Sequence, residues 1–158
     1  MADADVVGRV HAASWRVAYA QLGEAFLATI VDEERIALWR RVLAEDDGVV
    51  FIAPSDAPAG FIYVGASRDD DAPAYVGEVM TFYAAPEAWG TGVGRVLMAR
   101  AIEELRAMGF AEATLWVLDT NPRARRFYEI AGWRADGGRK HQEWRNASFD
   151  EVRYRIAL

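Results

Sequence analysis

The string Trp89-Gly90-Thr91-Gly92-Val93-Gly94-Arg95 constrains this chain more than any other. It stands between a run of strand character ending near Ala84 and a run of helical period from Gly92 to Met108. Three glycines at alternate positions suit neither a strand interior nor a helix interior, since each removes a packing side chain and adds backbone freedom. They suit a sharp passage from strand to helix whose backbone lies bare. The first N–H groups of a helix have no partner within it, and the helix dipole is positive at that end. The physical product is an anion site, most naturally for a pyrophosphate, and Arg95 adds charge in the first turn. The dinucleotide fingerprint GxGxxG would need glycine where Arg95 stands, and the Gly-Lys-Ser/Thr of a P-loop is missing. On the loop alone, a plain glycine-rich connection is the alternative.

The rest of the chain supplies the frame. Val7, Val10, Trp15 and Tyr19 recur at helical spacing, and Gly23 breaks that helix. A second helical stretch begins at about Glu24. A third starts at Asp32-Glu33-Glu34, carries Ile36, Trp39 and Leu43 as one stripe, and ends at Asp46-Asp47-Gly48. The period then changes. Val49 to Ile52 and Gly60 to Val64 read as two strands joined by a Pro/Gly/Asp turn. Ser67 to Pro73 reads as an acidic loop, with Asp69, Asp70 and Asp71 as solvated turn residues. A third strand runs from about Tyr75 to Ala84, and Pro86 stops it. The helix after the glycine loop is expected to bury Val93, Val96, Leu97, Ala101, Leu105 and Met108, with Gly109 as its cap. Thr114 to Leu118 is a continuous apolar run, as in a strand covered on both faces. Asn121-Pro122 is an N-cap followed by proline at the first helical position, opening a short helix that ends at Gly132. The tail holds one or two more strands, Val152 to Ala157 being the clearer. The order is α+β, with one β-α-β crossover between about residues 75 and 118, and it is expected to form one domain over 1–158.

Composition removes several function classes. Apolar residues make up 53% of the chain, enough for a core, and the net charge of −6 argues against nucleic acid as a partner. With no cysteine there is no disulfide, thiolate nucleophile or Cys-based zinc site. The two histidines, His11 and His141, lie far apart without metal-ligand spacing and read as surface or cap residues, so no metal is expected. The nearest approach to a GxSxG elbow, Gly65-Ala66-Ser67-Arg68-Asp69, lacks the last glycine. No apolar run approaches the roughly 20 residues of a membrane span. The acidic start Met1-Ala2-Asp3-Ala4-Asp5 is unlike a signal peptide, so a cytoplasmic protein without membrane partners is expected.

Three strings taken together narrow the reading. Glu78-Val79-Met80-Thr81-Phe82-Tyr83-Ala84-Ala85-Pro86 runs directly into the glycine loop, and Asn121-Pro122-Arg123-Ala124-Arg125-Arg126-Phe127-Tyr128-Glu129 follows, then Gly132-Trp133. This resembles the GNAT acetyltransferase family. Its members carry a strand, a Gln/Arg-x-x-Gly-x-Gly loop opening a long helix, a further strand, and an Asn-x-x-Ala-x-x-Phe-Tyr segment. The likeness covers roughly residues 75 to 135, and Ser14-Trp15 and Tyr19 resemble a bacterial branch of it. It implies a mixed, mostly antiparallel central sheet flanked by helices, with splayed central strands, and acetyl-CoA as acetyl donor to an amine.

The resemblance also implies roles. The loop from Trp89 through Gly90, Thr91, Gly92, Val93, Gly94 and Arg95 would hold the coenzyme A pyrophosphate. The strand Phe82-Tyr83-Ala84 would pair with the pantetheine arm, and an N–H near Phe82 or Ala84 would polarise the thioester carbonyl. Asn121 and Ala124 would touch the arm from the other side. Tyr128 would sit near the sulfur and protonate the departing thiolate; a core aromatic is its alternative. Glu78 shares a strand face with Met80 and Phe82 and is the candidate base, against a strand-end glutamate in solvent or a salt bridge. Trp15 and Tyr19 read as core, with the acceptor pocket as the other option. Arg123, Arg125 and Arg126 read as a solvated helix face, with contact to phosphates as the other option.

Two departures from the family pattern stand out. Trp89 occupies the position of Gln or Arg, and the first helix is expected to start within about five residues, so that the usual edge strand is missing or very short. A non-catalytic acyl-CoA-binding or sensor domain is the alternative function. A small-molecule or peptide amine is the expected acceptor; a homodimer is common in the family, and the sequence carries no direct sign of one.

Overall fold

The protein is described by a computed structural model that covers residues 2–45, 47–53, 59–145 and 147–158. The turn expected between the first two strands, at 54–58, and Asp46 lie outside the described residues.

The elements follow the sequence closely. Helix α1 is Ala2–Ala18, a 3-10 turn is Ala20–Leu22, α2 is Glu24–Leu27 and α3 is Asp32–Glu45. Strands β1 (Gly48–Ile52), β2 (Gly60–Ala66) and β3 (Val76–Ala84) lead through the 3-10 turn Pro86–Ala88 into α4 (Val93–Ala107). Then come β4 (Glu112–Leu118), α5 (Pro122–Ile130), β5 (Arg134–Trp144) and β6 (Ala147–Ala157). The six strands form one sheet in the order β1-β2-β3-β4-β6-β5. β3 and β4 pair in parallel, as the crossover through α4 requires, and β6 runs antiparallel to both β4 and β5. This is the mixed, mostly antiparallel α+β arrangement expected. The β3–β4 register runs from Val76↔Glu112 to Val79↔Leu115, whereas β3 itself continues to Ala84.

Contacts divide the chain into two compact units. One comprises Met1–Tyr63 with Thr81–Ala101, the other Val64–Met80 with Ile102–Leu158. The first buries Val7, Val10, Phe26, Ile36, Trp39, Phe61, Leu97 and Met98. The helical phases differ from expectation at their ends. Leu43 (40% exposed) and Val96 (67%) face outward, and Met98 takes the buried place in α4.

The second unit shows the two-residue period of its strands directly. Ala113↔Ile156, Leu115↔Tyr154 and Val117↔Val152 put one apolar face together. Thr114↔Arg155, Trp116↔Arg153 and Leu118↔Glu151 make the other face. β4 is indeed covered on both faces. Its second cover is a layer of charged side chains: Lys140 Nζ stands 4.2 Å from the Trp116 ring centroid and the Arg153 guanidinium 5.5 Å from it. Among the described residues no helix is long and apolar enough to cross a membrane.

Candidate functional site

The glycine loop adopts the conformation its sequence demands. Gly90 and Gly92 hold φ of 79° and 94°, a region costly to any residue with a Cβ. The Arg95 and Val96 N–H groups donate to Gly92 O at 3.0 and 3.2 Å, and Thr91 N–H donates to Ala88 O at 3.3 Å. Val93 N–H reaches only Thr91 Oγ1, at 3.5 Å. Among the described residues, no partner within the chain is found for the N–H groups of Gly90, Gly92 and Gly94. Unpaired amides are expected at the start of a helix, and here three of them fall on glycines that leave the backbone accessible. The Arg95 amide, by contrast, is taken up by Gly92 O. Trp89, where the family pattern has a polar residue, turns its Nε1–H onto Ala84 O at 3.0 Å and fastens the loop to the end of β3.

The last residues of β3 are held from beneath and from the side. A Cβ on Gly60 would stand 2.8 Å from Tyr83 O and 3.1 Å from Ala84 Cα, so only glycine lets β2 pass this close. Ser14 Oγ donates to Ala84 O at 3.3 Å, and Trp15 Nε1 donates to the Tyr83 hydroxyl at 2.7 Å. His11 is not the surface residue expected. It is 4% exposed, stacks on Tyr83 with centroids 4.8 Å apart, and accepts a hydrogen bond at Nδ1 from Trp39 Nε1 at 2.9 Å. Burial, aided by the Arg35 charge, lowers its pKa to about 3, so the ring is neutral and its buried Nε2 has no partner among the described residues. Tyr19 is buried as expected and packs on Trp15, ring centroids 5.0 Å apart.

The second unit holds the remaining candidates. Glu78 is 8% exposed. It lies neither in solvent nor, among the described residues, in a salt bridge: its Oε2 accepts from Arg68 N–H at 2.8 Å and from Ser67 Oγ at 3.3 Å. Burial raises its pKa, and the Arg68 amide opposes the rise. The acidic loop is not uniformly solvated. Asp69, with its side chain 14% exposed, accepts from Trp116 Nε1 at 2.9 Å and from Arg153 at 3.0 Å. Sequence reasoning missed Arg153; the available signal was the alternation of Glu151, Arg153 and Arg155 with apolar Val152, Tyr154 and Ile156.

Asn121 caps α5 as expected, its Oδ1 accepting from Ala124 N–H at 3.0 Å. The two residues are therefore brought together and bond each other. Arg125 is no solvated helix-face residue. It reaches Asp119 with Nη1 and Tyr154 Oη with Nε, at 3.2 Å for the latter, and Tyr154 Oη in turn donates to Glu129 at 2.9 Å. Tyr128 is 7% exposed, in edge contact with Phe127 and Trp133 and tilted against Tyr154. His141 lies on the surface beside Asp150, at 2.7 Å.

Comparison with known proteins bears on this geometry. The profile of the Acetyltransferase (GNAT) family matches residues 13–133. A mycothiol acetyltransferase of Parafrankia sp. (strain EAN1pec) is 33% identical over 96 residues, 61% of this chain but 26% of its own length. The chain thus spans about a quarter of that relative. The ribosomal-protein-alanine N-acetyltransferase of Brucella melitensis superposes with a TM-score of 0.76 at 21% identity, over 99% of this chain and 95% of that one. The PaiA N-acetyltransferase of Thermoplasma acidophilum, solved in complex with coenzyme A, gives 0.69 at 20% identity, over 99% and 94%. Those two likenesses are of fold. With the family profile covering most of the chain, they lead to one conclusion: the protein belongs to the GNAT acetyltransferase family.

Proposed function

We propose that this chain is an acetyl-CoA-dependent N-acetyltransferase, one catalytic domain over residues 1–158 that acetylates a primary amine. One observation carries the reading. Three glycine N–H groups without an acceptor among the described residues, at Gly90, Gly92 and Gly94, crowd the start of a helix 15 residues long. That donor set fits a pyrophosphate, and the coenzyme A complex of the Thermoplasma neighbour supports it.

Acetyl-CoA supplies an activated thioester; the chain supplies binding and proton transfer. Gly90 to Gly94 hold the pyrophosphate, Arg95 adds charge, and Trp89 and Thr91 brace the loop. Backbone of Phe82, Tyr83 and Ala84 orients the pantetheine arm, and an N–H near Phe82 or Ala84 polarises the thioester carbonyl. With its Oδ1 taken by Ala124, Asn121 offers Nδ2 to the arm. A free amine has a pKa of about 10 and must lose a proton before it attacks. Glu78 accepts that proton; its raised pKa makes it a better base than an ordinary carboxylate. Tyr128 Oη donates a proton to the departing sulfur. The acceptor is a small-molecule or peptide amine, and the net charge of −6 favours a cationic one by steering.

The burial of Tyr128 is the observation that favours the alternative, a non-catalytic acyl-CoA-binding domain. Calorimetric titration with acetyl-CoA, with NADH and ATP as controls, tests the cradle. Micromolar binding by acetyl-CoA alone is expected, and its absence overturns the proposal. An amine screen read by free thiol, on wild type and Tyr128→Phe, then separates enzyme from sensor. Turnover unchanged by Tyr128→Phe removes the acid role.

A further inference from the structure

We propose that Arg153 is a positioning residue: it latches the loop of residues 67–71 to the sheet and so keeps that loop's donors on Glu78. The inference rests on the reading of Glu78 as the base. The geometry is a chain of contacts within one unit. Arg153 Nη1 stands 3.0 Å from both Asp69 Oδ2 and Asp71 Oδ1, Nη2 stands 3.3 Å from Asp71 Oδ2, and Nε stands 2.9 Å from Asp136 Oδ2. The guanidinium thus grips three carboxylates, two of them on the loop. Asp69 is fixed at both oxygens, since Trp116 Nε1 holds the other. One residue earlier is Arg68, whose amide holds Glu78, and before it Ser67, whose hydroxyl also reaches Glu78 and accepts the Asp69 N–H at 3.4 Å.

The latch is built as a shielded one. The Arg153 and Asp69 side chains are 13% and 14% exposed, so their charge-assisted bonds are stronger than those of an open surface pair. Lysine could not replace the fork, having no planar array of donors. The charged groups acting on Glu78 are Asp69 on the loop, which favours its protonation, and Lys140 on β5, which opposes it. Thr114, its register partner on β4, is neutral. With the loop closed, burial outweighs the donated hydrogen bonds. With the loop released, Glu78 meets water and both loop donors leave, so its proton affinity returns toward that of an ordinary carboxylate.

The test needs no acceptor. The Glu78 carboxyl carbon is followed by NMR against pH in the isotope-labelled full chain and assigned with Glu78→Gln. The wild-type midpoint is expected above the ordinary value, falling by roughly half a pH unit, about threefold in proton affinity, in Arg153→Gln and by less in Arg153→Lys. A midpoint that stays put in folded Arg153→Gln overturns the latch. Should that variant not fold, Asp71→Asn decides by the same criterion; Asp71, with its side chain 70% exposed, can be neutralised without disturbing the core. Full acetyl transfer by Glu78→Gln would overturn the base assignment instead, leaving the titration result as it stands, so the two failures are distinct.

Discussion

Replacing Gly92 by alanine tests the cradle where the structure separates strain from collision. A Cβ at Gly92 would meet only the tip of Arg95, at 3.5 Å, and at Gly90 nothing within 4 Å. The whole cost is therefore backbone conformation, φ of 94° at Gly92 imposed on a residue with a Cβ, about 1–2 kcal/mol. A free loop can relax away from that conformation; a loop holding a pyrophosphate cannot. If the relaxation is complete, the cost returns at binding and the Kd for acetyl-CoA rises about 5–30-fold. If the loop stays in place, the same energy lowers stability, by about 2–4 °C in Tm per kcal/mol for a chain of this size. Calorimetry and thermal unfolding of the free protein together read both shares. Gly23→Ala is the matched control, with φ of 85° and nothing within 4 Å of its Cβ, before α2 and outside the proposed cradle. It should lose stability only. A Gly92→Ala protein that keeps wild-type stability and also binds acetyl-CoA within about twofold of wild type refutes the reasoning, since the strain would then appear in neither share.

Other consequences follow from the buried groups. His11 is neutral in the fold with a pKa of about 3, while in the unfolded chain it titrates near 6.5. The unfolded state thus binds more protons below pH 6.5, and stability falls with pH, by about 2 kcal/mol between neutral pH and pH 5. Urea unfolding at pH 7.5 and 5.0 should show this, and His11→Gln should remove it; an equal slope in that variant refutes the assignment. Glu78 has the opposite sign, because its raised pKa makes its charge unfavourable in the fold as pH climbs above the ordinary carboxylate range. Glu78→Gln should therefore melt higher than wild type at pH 8 and equally at pH 4, while turnover falls by about 10²–10⁴. Trp89→Phe keeps the ring but loses the bond to Ala84 O, at a cost of about 1 kcal/mol; a Tm unchanged within error would show that Trp89 does not brace the loop.

What the sequence made legible was chiefly backbone chemistry. Gly90 and Gly92, the Asn121-Pro122 cap and Gly109 each mark a conformation that few residues tolerate, and the structure has those conformations there. The apolar run of β4 was equally plain. β5 was not, because Arg134-Ala135-Asp136-Gly137-Gly138-Arg139-Lys140 carries no apolar alternation; it is an edge strand, where charge protects against mispairing. His11 escaped for a different reason. Nothing beside it in sequence says that Trp39 from α3, Phe61 from β2 and Tyr83 from β3 converge on its ring. Parity placed Glu78 on a face with Met80, but what covers that face is a loop held by a residue 75 positions later, and no local pattern contains such a pairing.

The same division runs through the candidate site. Several groups that the family resemblance assigns to the ligand are engaged inside the chain: the Trp89 indole on Ala84 O, Asn121 Oδ1 on Ala124 N–H, and the Arg95 amide on Gly92 O. These bonds shape the loop and cap the helix, and they leave the Gly90, Gly92 and Gly94 amides without a partner among the described residues. A backbone donor is aimed by φ and ψ, so it persists through changes in side chain and disappears with a change in local conformation. Trp89, standing where the family pattern has a polar residue, ties the loop to the end of β3 through Ala84 O. For the cradle proposed above, an alanine scan of side chains is expected to understate the affinity held by the loop, and substitution of its glycines to uncover it.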